Sequence, residues 1–237
     1  MIVQIILCGD TFMSTAFEKT LIDAVNDDSF LSTITELYHQ DEVSFLNEVI
    51  NIHNAQKIDL VSEFKKTLKS DDSIDFFLMC AIFEKVLPKI NAPVIEVMRC
   101  VRHLVVEAGN DSLGGGVLQS VMEFCKKNVS LIDSALSYAL REEFQSFNFV
   151  TCIIIAGCQL DPKGCVKKAI DLCQQKDDIV IANIIRGLSR LDYRKNDIPI
   201  EDILTMIETV ILNRKNTNIL SVSLNTVLNI HIQTNVY

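Results

Sequence analysis

The chain of 237 residues has no tryptophan, four prolines and eight glycines. So few breakers leave long stretches free to be helical. Proline removes a backbone donor, and glycine costs about 1 kcal/mol against alanine inside a helix. The eight cysteines include no Cys-x-x-Cys pair. A disulfide framework belongs to short secreted chains and is not expected here. Most of the cysteines sit in apolar stretches such as Met79-Cys80-Ala81-Ile82-Phe83, which marks them as reduced side chains packed as small hydrophobes. The start, Met1-Ile2-Val3-Gln4-Ile5-Ile6-Leu7, lacks the basic region of a signal peptide. The longest apolar run, Phe147–Leu160, is shorter than the roughly 20 residues of a membrane span. These absences point to a soluble, reducing, cytoplasmic setting without a membrane.

Catalytic signatures are missing as well. His39, His53, His103 and His231 stand at no metal-ligand spacing, and none neighbours a cysteine in a zinc pattern. Cys100 and His103 share a helix face at i, i+3, but a packed cysteine beside a surface histidine is the commoner meaning. The stretch from Gly109 to Gly116 is glycine-rich yet lacks the Gly-Lys-Ser/Thr ending of a phosphate loop. It reads as a loop, with Gly114, Gly115 and Gly116 delaying a helix start or admitting a close neighbour. Gly9-Asp10 follows an apolar stretch, but no alternation of strands and helices comes after it. Paired carboxylates recur at Asp27-Asp28, Asp41-Glu42, Asp71-Asp72, Glu142-Glu143, Asp177-Asp178 and Glu201-Asp202. Most stand at helix starts, where negative charge suits the helix dipole, and neighbours at i, i+1 point apart. No catalytic residue, cofactor or metal is expected, and no enzyme activity.

What the chain does have is apolar mass, 49% of its residues, enough for a sizeable core. Its prolines are placed with a rhythm. Pro93 is followed by Val97, Met98, Val101, Leu104 and Val105, and Pro199 at the same offsets by Ile203, Leu204, Ile207, Val210 and Ile211. Pro162 is followed by Val166, Ile170 and Cys173 on the same pattern. Each stripe is one face of a helix, begun where a missing N–H costs nothing. A fourth start falls at Ser130, a capping residue ahead of Leu131, Ala135, Leu136 and Ala139. The four starts recur roughly every 35 residues. A second helix is expected before each, at Ser73–Leu87, Ser112–Lys127, Phe147–Leu160 and Asp178–Leu191, and a last one at Thr217–Ile232.

Two helices per unit of this length is the sign of a helical solenoid. The ends of two leading helices are also alike: Ile155-Ala156-Gly157-Cys158-Gln159-Leu160-Asp161 beside Arg186-Gly187-Leu188-Ser189-Arg190-Leu191-Asp192. Here the chain resembles the HEAT-repeat family over residues 72–232. The resemblance implies an all-α fold, a right-handed α-solenoid of HEAT-like helix pairs. Residues 1–71 are expected to form an acidic helical cap or degenerate repeats, with helices at Ser14–Val25, Ser29–His39, Asp41–His53 and Ala55–Lys69, and residues 72–237 the array. Met1–Leu7 reads as a short strand or a first buried turn. The apolar helix at Thr217–Ile232 has no following partner. It suggests that the chain continues into a longer protein, or pairs with another surface there, such as a second copy.

Charge narrows the partners. The net charge is −9, carried entirely by residues 1–75, while residues 76–237 balance to zero. Asp27, Asp28, Glu36, Asp41 and Glu42 form the candidate surface for a basic partner. In the balanced repeats, Lys167, Lys168, Arg186, Arg190, Arg194 and Lys195 are the candidate ridge, with the three arginines spaced by four on one expected helix face. The leading expectation is a non-catalytic scaffold for protein–protein interaction, its partner another protein or further domains of the same chain. The alternative is nucleic-acid binding along the basic ridge.

Overall fold

The computed structural model describes residues 16–109, 114–195 and 197–234, and these residues are helical with no strand among them. The expectations for Met1–Leu7, Gly9-Asp10, Ser14 and residues 110–113 lie outside the described residues. The chain divides into two compact units, Met1–Ser120 and Val121–Tyr237.

The first unit holds α1 (residues 16–26), α2 (Phe30–Gln40), α3 (Glu42–Asn54), α4 (Leu60–Phe64), α5 (Phe76–Val86) and α6 (Val94–Ala108). Its core is aromatic. Phe30 of α2, Phe64 of α4 and Phe83 of α5 are buried and pack in series, with ring centroids 6.5 and 5.0 Å apart. Helices on both sides of residue 71 share this core: α2 and α3 pack on α5, and α4 on α6. The stripe read from Pro93 is buried at Val97, Met98, Val101 and Leu104.

The helix expected over Ala55–Lys69 is reduced to the five residues of α4. Gln56 takes a left-handed φ of 60° and ends the chain's run out of α3. Asp59 restarts it by accepting a hydrogen bond from Ser62 N–H. His53 locks the turn, because its Nδ1 accepts from Leu60 N–H at 3.1 Å while its Nε2 donates to the Asn91 carbonyl at 3.0 Å.

The helix α7 (Gly114–Cys125) contains the division between the units. Its three glycines are helical and are the first residues described after 110–113. Gly116 admits a close neighbour, since a methyl group there would overlap the Glu84 carboxylate.

The second unit holds α8 (Val129–Ala139), α9 (Glu142–Gln145), α10 (Phe149–Leu160), α11 (Pro162–Gln175), α12 (Asp178–Leu188), α13 (Ile200–Asn213) and α14 (Thr217–Thr234). The start expected at Ser130 is set by Asn128, whose side chain accepts from Leu131 N–H at 3.0 Å. Pro162 opens α11, whereas Pro199 occupies the residue before α13. In this unit α10 packs on α12 and α12 on α14, forming one row, while α11 packs on α13 in a second row against it. The centre of the first row is α10, buried continuously from Phe149 to Cys158. Ala156 and Gly187, the small residues of the two similar helix ends, are both buried. At Gly187 the helices approach closely: a Cβ would stand 2.9 Å from Ile154 Cβ.

Polar side chains tie successive helices at long, similar sequence separations. In the first unit His103 Nε2 bonds to the Thr67 carbonyl, 36 residues away, and Asn54 Nδ2 to the Lys89 carbonyl, 35 away. In the second, Thr151 Oγ1 donates to the Asn183 carbonyl over 32 residues and Asn229 Nδ2 to the Ser189 carbonyl over 40.

Candidate interaction surface

The second row of the second unit leaves a groove open between α11 and α13, with a volume of about 420 Å³. Helical spacing builds both walls. α11 contributes Ile170, Cys173 and Gln174, and α13 contributes Asp202, Thr205, Met206, Thr209, Val210 and Asn213. Residues three and four apart share a face, so each helix turns one continuous strip toward the groove. The floor is apolar: Cys173, Met206 and Val210 are buried, and Ile170 is half-buried. The rim is polar, with Gln174, Asp202, Thr205, Thr209 and Asn213 exposed.

Part of this rim is committed. Thr209 Oγ1 donates to the Thr205 carbonyl and Asn213 Nδ2 to the Thr209 carbonyl, both at 2.8 Å. Arg214 closes one end of the groove. Its Nη1 donates to Asp178 Oδ1 and its Nη2 to the Lys176 carbonyl, each at 3.2 Å. Asn216 Nδ2 holds the other Asp178 oxygen at 2.9 Å. The groove therefore has a single acidic group, Asp202, and its one cation is already paired. Burial pushes the Cys173 thiol up to about 12, which leaves it a packing group rather than a nucleophile.

The basic series does not form a ridge. The helix α12 ends at Leu188, so Arg190 and Arg194 lie beyond it and share no helical face with Arg186. Three tertiary bonds at the end of α12 account for the early stop. Tyr193 Oη donates to the Leu188 carbonyl at 2.7 Å, and Asn229 and Gln233 of α14 donate to the Ser189 and Leu191 carbonyls. Lys168 is ion-paired with Asp133, Arg186 donates to Asn183 Oδ1, and Arg194 donates to Asp192 at 2.7 Å. Lys167, Arg190 and Lys195 are exposed, on α11 and on the two turns after α12.

The acidic series is partly spent in the same way. Asp41 caps α3 through Ser44 N–H at 3.1 Å, and its bonds to Ser44 hold its carboxyl below the ordinary range. Glu42 pairs with Lys85 at 2.6 Å, and Asp28 with Lys66 at 2.8 Å. Asp27 and Glu36 are exposed and enter no ion pair among the described residues.

Cys100 and His103 are not brought together. Cys100 is fully buried in α6 and its thiol is pushed up by burial, while His103 Nε2 is engaged by the Thr67 carbonyl at 2.7 Å. Among the described residues no cluster of His, Cys, Asp or Glu is arranged to hold a metal ion, and no helix is long and apolar enough to cross a membrane.

The groove was not foreseen from sequence. Its two walls are 28 or more residues apart, and only their shared proline-led pattern hinted that they would lie side by side. No protein-family model matches the chain, and no curated protein or solved structure is significantly similar to it.

Proposed function

We propose that this chain is a non-catalytic helical-repeat scaffold that binds another protein, and that it does so along the groove between α11 and α13. The observation that carries this reading is the groove itself, an apolar floor between polar rims that carry one carboxylate, Asp202, on one helical row. Such a surface suits a protein segment with apolar side chains and few charges, because buried apolar area supplies the affinity and rim amides and hydroxyls fix the orientation. The HEAT-like repeat reading is supported within each unit separately. Helices pack on their second neighbours, and side-chain ties recur over 31 to 47 residues. Successive helix pairs of similar length produce that spacing.

The test is selection from a random peptide library displayed on phage, followed by affinity measurement. Selected peptides bind the wild type and lose affinity roughly tenfold or more to Thr209→Arg, which places charge on an exposed rim position without touching the core. Peptides that bind this variant equally well refute the groove. The same protein is titrated with duplex and single-stranded nucleic acid at two salt concentrations. Binding that falls steeply with salt and is lost on charge reversal of Lys167 and Arg190 transfers the reading to nucleic acid.

A further inference from the structure

The helix α14 is packed on one side only. Its buried residues Ile219, Val222, Ser223, Thr226 and Ile230 face α12 and α13. Along its outer side Leu220, Leu224, Val227, Leu228 and Ile232 are between 38% and 58% exposed. The offsets of four, seven, eight and twelve from Leu220 place them in one stripe. Together they expose roughly 400 Å² of apolar surface, within the roughly 300–600 Å² of the largest patch on a typical monomer, which is often functional. We infer that this stripe pairs with the same stripe of a second copy of this chain, antiparallel, with Leu224 at the two-fold axis.

Three observations favour a second copy over a different partner. The first is charge. Helix α14 contains no Asp, Glu, Lys or Arg, and residues 121–237 hold thirteen acidic and thirteen basic side chains. The helix thus contributes no like charges to a face that a second copy would meet, and the unit that carries it has no net charge to oppose the meeting. The second is symmetry. A two-fold at Leu224 sets Leu224 on Leu224 and Leu220 on Leu228 of the second copy, and antiparallel helices also oppose their dipoles favourably.

The third observation is a hollow of about 230 Å³ at the start of α14, lined by Ile211, Arg214, Lys215, Asn216, Thr217 and Leu220. In the same register Ile232 of the second copy falls opposite Asn216, at the mouth of that hollow. The leucine stripe and the hollow thus call for one and the same alignment. The two stripes bury about 800 Å² between them and the flanking Ser, Thr and Asn residues add to it, which is the size of a weak, transient interface rather than a standard one of roughly 1,200 Å² or more. A contact of this size belongs to weak, reversible pairing, so the dimer forms only at high protein concentration.

Sedimentation velocity of the intact chain, over on the order of 5 to 300 µM, tests this. The wild type passes from monomer to dimer across the range. Leu224→Glu and Leu224→Lys each remain monomeric, because like charges meet at the axis. An equimolar mixture of the two recovers a dimer, because opposite charges then meet. Val43→Glu, on an α3 residue 69% exposed, follows the wild-type curve. If circular dichroism shows that the Leu224 variants are unfolded, Leu228→Asn gives the same readout with a milder change. A wild type that stays monomeric throughout overturns the proposal. So does a Leu224→Glu protein that dimerises like the wild type, and so does a mixture no better than its components.

Discussion

The contact between α10 and α12 depends on the absence of one side chain, and replacing Gly187 with alanine measures it. In isolation the substitution favours the helix by about 1 kcal/mol, since alanine is the better helix former. The structure supplies the opposing term. A Cβ at 187 would lie 2.9 Å from both Cβ and Cγ2 of Ile154 and 3.0 Å from the Thr151 carbonyl oxygen. Comfortable carbon contacts begin near 3.5 Å, so the helices must part by about half an ångström. Neither neighbour can yield alone, because one is backbone and the other is β-branched and stiff at χ1. Opening the seam also stretches the bond from Thr151 Oγ1 to the Asn183 carbonyl, now 2.9 Å. Overpacking of this kind costs about 1–3 kcal/mol, and more where the backbone resists. With backbone among the neighbours the upper half of that range applies, about 2–3 kcal/mol, and the net expectation is a loss of about 1–2 kcal/mol. Gly115→Ala is the control, because nothing lies within 4 Å of a Cβ there. It is neutral or stabilising by up to about 1 kcal/mol. With no tryptophan in the chain, urea unfolding is followed by far-ultraviolet circular dichroism, comparing midpoints at equal slope. A Gly187→Ala midpoint at or above the wild type refutes the close approach of α10 and α12.

Replacing His53 with alanine strands the buried Leu60 N–H and frees the Asn91 carbonyl to water, and urea unfolding should show a loss of roughly 1–3 kcal/mol. An unchanged midpoint excludes the histidine lock. Burial pushes the thiols of Cys80, Cys125 and Cys173 up to about 12 and that of Cys152 up to about 11. At pH 8 a maleimide should therefore label these four at least a hundredfold faster in denaturant than in the native protein, on the order expected from thiolate fraction and access; rapid native labelling of any one contradicts the packing. Glu84 is half-buried against Gly116, and one of its oxygens has no hydrogen-bond partner. Burial raises its carboxyl above the ordinary range, against the opposing pull of Lys85. Its folded form thus binds a proton more tightly than the unfolded one, so ionised Glu84 subtracts stability above its folded pKa and stops doing so as pH falls through it. Glu84→Gln should exceed the wild type at pH 7 to 8 in thermal melts, by a margin that shrinks as pH drops toward about 4; a margin independent of pH refutes the assignment.

The sequence patterns that proved legible were those with a local cause. Pro93, Pro162 and Pro199 fall within one residue of the starts of α6, α11 and α13, because a fixed φ and a missing donor act on the nearest turn. The stripes behind them face the interior, since burial follows the 3.6-residue period. The expected helix boundaries failed where distant residues decide. The helix expected to reach Leu191 stops at Leu188 because Asn229 and Gln233, some 40 positions later, take carbonyls beyond its end. The run expected over Ala55–Lys69 breaks because His53 and Asn91 hold a turn, and only Asp59 as a capping residue signalled it locally. At Ser130 the choice of cap lay with Asn128, two residues upstream, whose side chain reaches the Leu131 amide.

Charge, which looked most informative in the sequence, carries less of the recognition than its count implied. Asp28, Glu42, Glu96, Lys66, Lys85, Lys168 and Arg214 are each paired across neighbouring helices. Exposed pairs of this kind are worth little in stability, with a median of about 0–1 kcal/mol, but they neutralise the surface where helices adjoin. What remains for a partner is the complement of that pairing. In the second unit it is an apolar groove with amide and hydroxyl rims and an uncharged helix face. A long-range electrostatic partner would be steered to scattered single charges such as Lys167 and Arg190, which lie on different elements and present no continuous stripe. Recognition by burial of apolar surface needs no such stripe, and it is not weakened by the screening that salt imposes on charges. In the second unit, the pairing of charges between helices and the low charge of the open groove and helix face therefore favour, for the proposed scaffold, a partner held by shape and apolar contact; the first unit keeps its net negative charge whatever its pairing.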